Sequence, residues 1–149
     1  MMHADSQLIS AIGIAILVAI SWYALCFFIS FMTGWHTLAQ RFRTQAEPYG
    51  DTKTAGPFSY TVYMRHWSHY GGVIRLIAAA DALYASVPFP FRIGHPSLCI
   101  PWSEIQFGRT KRLWWRYVVL TLGAQEKVPM RISERMARNL GILNRLPVP

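Results

Sequence analysis

Between Leu8 and Met32 the chain has no lysine, arginine, aspartate, glutamate, histidine or proline. These 25 consecutive residues are mostly Ile, Leu, Val, Ala and Phe. As a helix they extend about 38 Å. A hydrocarbon core is about 30 Å thick, so the segment is expected to cross a membrane. Acidic side chains are scarce too: 7 Asp and Glu stand against 15 Lys and Arg, a formal net charge of +8. Cysteine is limited to Cys26, inside the apolar run, and Cys99. Their placement argues against a disulfide and suits a reducing compartment. G-x-S-x-G, H-E-x-x-H, a glycine-rich phosphate loop and paired carboxylates are all missing, so the common hydrolase, metalloprotease and nucleotide-binding signatures are excluded. No enzymatic activity, cofactor or small-molecule substrate is expected.

What is present is distributed unevenly. Every Lys and Arg comes after residue 32, and of the acidic residues only Asp5 precedes it. The flank Met1–Gln7 is free of Lys and Arg, whereas Arg41 and Arg43 come within about ten residues of the run's end, the range that orients a span. The N-terminus is therefore expected outside and the remainder in the cytoplasm, on an inner (cytoplasmic) membrane crossed once. A cleaved signal peptide requires a charged n-region and an apolar stretch of roughly 7–15 residues, and this chain offers neither. Ala11, Ala15 and Ala19 form a small-residue row at spacing four. Such a row lets helices approach closely in lipid, although alanine is also common in such helices.

The chain divides into four regions: a tail (1–7), the apolar helix (8–32), a juxtamembrane stretch (33–57) and a β domain with a terminal helix (58–149). Trp35, Leu38, Ala39 and Phe42 repeat at i, i+3, i+4 and i+7, a short amphipathic helix lying on the membrane or on the domain. Trp35, with Arg41 and Arg43, suits the headgroup boundary. Residues 44–57, with two prolines and two glycines among polar residues, read as a linker. From Phe58 the period becomes two: Phe58, Tyr60, Val62 and Met64 alternate with polar residues, Tyr63 excepted. Gly71-Gly72 marks a turn. Val73–Ala79 and Leu83–Val87 read as strands reversing at Ala80-Asp81-Ala82, with a helix over Ile77–Ala85 as the alternative. Val87-Pro88-Phe89-Pro90 is irregular. Leu98, Ile100 and Trp102 alternate, then Ile105 and Phe107. The strand over 114–122 is bulky on both faces and therefore central. Val128, Met130 and Ile132 form the last strand. Ser133 caps a helix with Glu134 in its first turn, apolar at Met136, Ala137 and Leu140, and Gly141 just past its end.

Asp81-Ala82-Leu83-Tyr84 and Ile100-Pro101-Trp102-Ser103-Glu104-Ile105, succeeded by a basic hairpin, a strand and a terminal helix, resemble bacterial PH-like (GRAM-like) domains over roughly residues 58–141. The family's turn reads D-G-L-Y, with Ala82 here at its glycine. The resemblance extends to small single-pass membrane proteins of unknown function that carry such a domain. It implies a seven-stranded antiparallel curved sheet closed by the C-terminal helix, acting in binding or assembly, and it brings no catalytic residues.

The densest chemistry is Arg109-Thr110-Lys111-Arg112-Leu113-Trp114-Trp115-Arg116, four cations and two tryptophans in eight residues. A hairpin there places Arg109, Lys111, Arg112, Trp114, Trp115 and Arg116 against anionic lipid or an acidic protein partner; the bland alternative is a solvated basic turn before a core strand. Nucleic acid is not expected, because the positive-inside rule already accounts for the basic excess. Phe89 and Phe91 flank Pro90 and belong at the membrane interface, on a partner, or in a satellite cluster of the core. His66 and His69 face opposite sides if their strand continues, so a shared metal is not expected. Cys99 points away from Leu98 and Ile100. As a nucleophile it needs a base such as His95, and that small-enzyme reading ranks last. The leading expectation is a membrane-tethered interaction or assembly module with lipid and a protein partner or a second copy of itself. The second is an accessory subunit of a larger membrane complex, packing through Ala11, Ala15 and Ala19.

Overall fold

The computed structural model describes residues 2–56, 60–65, 68–112 and 115–146. Helix α1 (Met2–Thr33) contains the apolar run and is long and apolar enough to span a membrane. Its exposed side chains from Leu8 to Phe31 are nearly all aliphatic or aromatic. Gly34 then reverses the chain at φ +84° into α2 (Trp35–Phe42). A left-handed backbone of this kind suits a residue without Cβ.

The β domain holds two antiparallel sheets. One is ordered β1 (Lys53–Ala55), β4 (Arg75–Ala78), β5 (Ala82–Ser86), β6 (Leu98–Pro101); the other is β3 (Ser68–Gly71), β2 (Thr61–Met64), β9 (Val128–Ser133), β8 (Trp115–Leu122), β7 (Ile105–Arg112). The expected single seven-stranded curved sheet is thus replaced by four and five strands, and neither sheet closes on itself. Alternation explains which side faces in. Leu76, Leu83, Leu98 and Ile100 from the first sheet meet Val62, Leu120, Met130 and Ile132 from the second in one buried cluster. Tyr63, the bulky exception on the polar side of β2, packs instead with His69, Tyr117 and the Arg131 guanidinium on the outer face. Strand β8 lies between β9 and β7, an interior position, as its two bulky faces required.

Several boundaries differ from the sequence reading. The 44–57 linker contains β1, whose Lys53, Thr54 and Ala55 pair with Ala78, Ile77 and Leu76. Three residues with a single buried alanine carry no readable period, so backbone pairing alone makes this strand. Strand β3 is likewise absent from the sequence reading, being short and turn-like in composition. Strands β4 and β5, not a helix, occupy 75–86. Ala82 opens β5 without a left-handed backbone, and Ala79 N donates to its carbonyl at 3.0 Å, so no glycine is needed. Strand β6 stops at Pro101; Trp102 begins a 3-10 turn (Trp102–Glu104) and donates through Nε1 to Ala79 O at 2.9 Å. Phe58, Ser59, His66, Trp67, Leu113 and Trp114 lie outside the described residues. Helix α3 (Glu134–Asn139) begins at Ser133, whose Oγ accepts from Met136 N at 3.2 Å, and Gly141 lies just beyond it in left-handed geometry.

Helices α2 and α3 complete the core. Trp35, Leu38 and Phe42 enter it from α2, and Met136, Ala137 and Leu140 from the C-terminal end. Trp35, expected at a headgroup boundary, packs into the domain core: its side chain is 1% exposed and its Nε1 donates to Pro96 O at 2.9 Å. The amphipathic pattern is real, but the apolar face serves the protein core.

A Cβ on Gly34 would lie 3.1 Å from Arg65 Nε and from both Val128 methyls. Gly34→Ala combines this crowding with a left-handed backbone and is expected to cost about 1–3 kcal/mol. The check is thermal melting of the detergent-solubilised chain by circular dichroism, with a midpoint lowered by about 4 °C or more.

Candidate functional site

Two regions bear on function: the junction where the domain meets α1, and the basic hairpin. At the junction, one face of α1 is chemically different from the others. Trp22, Cys26, Ser30 and Thr33 recur at spacings of four, four and three, and all four are turned toward the domain. Trp22 Nε1 donates to Pro90 O at 3.4 Å, and its ring packs on Phe91 with centroids 5.5 Å apart. Ser30 Oγ donates to Gly94 O. Gly94 lies so close to the helix that a Cβ there would sit 3.2 Å from Phe27 Cα. The 88–96 segment thus runs along α1 from Trp22 to Ser30, while α2 folds back so that His36 contacts the rings of Phe27 and Phe31.

At the base of the junction a polar chain is buried. Thr33 Oγ1 is 2.8 Å from Tyr70 Oη, which is 2.9 Å from His95 Nε2, and His95 Nδ1 is 3.1 Å from Ile93 O. A carbonyl only accepts, so Nδ1 donates to Ile93 O, and in the neutral imidazole Nε2 accepts from Tyr70. Burial pushes the His95 pKa below its ordinary value of 6.5 and the Tyr70 pKa up to about 12. Trp35 closes the group, edge-on to His95 with ring centroids 5.5 Å apart.

The basic hairpin lies elsewhere. Leu122 and Val128 are paired at the junction end of the second sheet, with Val128 against Gly34. Eight-residue β8 puts its other end, at Trp115, roughly 23 Å from Leu122 along the strand. Arg112 pairs with Trp115 and Lys111 with Arg116 beside the connection. Arg109 and Arg116 are exposed and, with Tyr117, Glu134 and Leu143, line an open cavity of about 380 Å³. The side chains of Lys111, Arg112, Trp114 and Trp115 lie outside the described set.

The remaining sequence candidates are scattered. Arg41, expected at the membrane interface, is tied to the domain, with Nη2 2.6 Å from Glu104 Oε1 and Nη1 3.6 Å from Glu126 Oε2. Arg43 bridges to Leu98 through its backbone and leaves its side chain exposed. Phe89 is 83% exposed, whereas Phe91 is anchored on Trp22. Ala11, Ala15 and Ala19 are exposed along α1. Cys99 stands directly across from Tyr84 in the β5–β6 ladder, and the neighbouring thiol is the main cause pushing the Tyr84 pKa up to about 12. His95, the base nearest Cys99 in sequence, has both ring nitrogens engaged by Tyr70 and Ile93. The structure therefore does not bring that pair together. Sequence reasoning missed the junction, yet its signal is present: Trp22, Cys26, Ser30 and Thr33 recur on one face of the C-terminal half of the helix.

Because the folded His95 pKa is depressed, the unfolded chain binds the extra proton as pH falls. Junction stability is full above pH 6.5, the ordinary histidine value, and declines below it. Melting midpoints of the detergent-solubilised protein should fall between pH 7.5 and 5.5, and His95→Phe should flatten that acid limb; parallel profiles for the two proteins would contradict the assignment. Compared with known protein families, with curated proteins and with solved structures, the chain matches none.

Proposed function

We propose that the chain is a single-pass membrane protein, N-terminus outside and domain in the cytoplasm, acting on the inner membrane as a tethered interaction or assembly module. Its basic hairpin engages an acidic protein partner. The span is supported by the apolar surface of α1 and the orientation by the Lys and Arg that all lie beyond it. Two antiparallel sheets and one terminal helix support a PH-like reading of the domain in kind, though not in strand count.

The observation that favours a protein over lipid for the hairpin is its distance from the junction. A tether confers proximity only to what its geometry can reach. The junction end of the domain packs on α1, whereas Arg109 and Arg116 stand roughly 13 and 20 Å further along the β7–β8 ladder. Charges presented at that distance suit a macromolecular surface, where complementary potential steers association and fixes register.

A photo-crosslinking side chain at position 110, in the full chain in its own membranes, is expected to give a crosslink to a second polypeptide. Arg109→Glu with Arg116→Glu should reduce that crosslink by roughly tenfold, as should raised salt. A crosslink to lipid instead, or one indifferent to charge reversal, would overturn the reading.

A further inference from the structure

A second cavity lies beside α1, remote from the hairpin. It has a volume of about 500 Å³ and is lined by Phe27 of α1, by His36, Gln40 and Arg43 from α2 and its end, and by Arg92 and Ser97 from the segment that runs along the helix. No aspartate or glutamate lines it. Arg41, two residues before Arg43, is neutralised by Glu104 and Glu126. Arg43 and Arg92 have no ion-pair partner among the described residues. Two guanidinium groups that line one cavity with no carboxylate in its wall suit a phosphate or carboxylate ligand.

The level of the cavity along α1 selects among anions. A span of about 20 residues begun at Leu8 ends at Phe27. Phe27 is itself more than half exposed, so one wall of the cavity continues into the apolar surface of the helix. The uncovered part of α1, Leu8 to Ser21, covers only about 21 Å. The 88–96 segment therefore reaches the depth where hydrocarbon gives way to headgroups, carrying the exposed Phe89 with it. Long cationic side chains with apolar stems are favoured at that depth.

We infer that this cavity binds the phosphodiester headgroup of an anionic phospholipid. Arg43 and Arg92 pair with the phosphate, Gln40 and Ser97 offer neutral hydrogen-bonding groups, and Phe27 meets the upper acyl chain. The inference rests on the reading that α1 spans the bilayer, and it is independent of the hairpin and its partner.

The intact chain, passed through nanodiscs of mixed phosphatidylcholine and phosphatidylglycerol and released into mild detergent, is analysed by native mass spectrometry. Retention of one phosphatidylglycerol per chain in preference to phosphatidylcholine is expected. Arg43→Gln with Arg92→Gln should lower that retention roughly tenfold or more, and Arg43→Lys with Arg92→Lys should keep most of it. Both arginines are exposed, so an unchanged melting midpoint is expected to accompany the loss. Equal retention of the two lipids, or retention indifferent to the glutamine pair, overturns the site. Displacement of the lipid by excess inorganic phosphate assigns the cavity to free phosphate and overturns the lipid assignment. Alkaline extraction of the starting membranes tests the span separately. Release of the chain there defeats the spanning reading, whereas a retained chain without lipid selectivity defeats the pocket alone.

Discussion

A buried polar group must find a partner, and on α1 that requirement falls on Ser30 and Thr33. Ser30 meets it with the carbonyl of Gly94, and Thr33 with the hydroxyl of Tyr70. Each contact ties the helix to a different part of the domain, one to the 88–96 segment and one to β3. Trp22 adds a third tie to the same segment further up the helix. The tether is therefore a packed element with a defined face, and that docking sets the position of every other surface relative to α1.

The fold extends the same logic outward. Gly34 turns the chain sharply enough for Trp35, Leu38 and Phe42 to enter the core immediately after α1 ends. At the other end of β8 and β9 from that corner lie the basic hairpin and the start of α3. One small domain thus presents two cationic regions of different character. Arg109 and Arg116 stand on a projecting hairpin, while Arg43 and Arg92 flank a cavity against the helix. A compact surface sum of positive charge conceals this division, because net charge carries no information about which cations share a site.

Much of the fold is legible where side chains alternate with burial. Strands β2, β5, β8 and β9 lie where their period places them, and Ser133 and Gly141 bound α3 as their chemistry dictates. The elements that are not legible share a cause. Strands β1 and β3 each bury a single side chain, Ala55 and Tyr70, so no alternation of buried positions marks them in the sequence. Trp35 and Arg41 read as lipid-boundary residues because an amphipathic helix beside an apolar run has two apolar media available. Its pattern is the same whether the apolar face meets lipid or the core.

The sequence by itself determined the long apolar helix, the asymmetry of charge around it, and the β character of the chain beyond α2. Each depends on local composition or on a period of two or 3.6, which a single segment carries without help. Tertiary structure alone decided that the strands divide into two sheets and that His95 joins Tyr70 and Thr33 instead of Cys99. It also decided that Arg43 and Arg92, far apart in the chain, line one cavity beside Phe27. Those outcomes depend on which distant segments can satisfy each other's buried polar groups and fill each other's packing, and no local pattern encodes that choice.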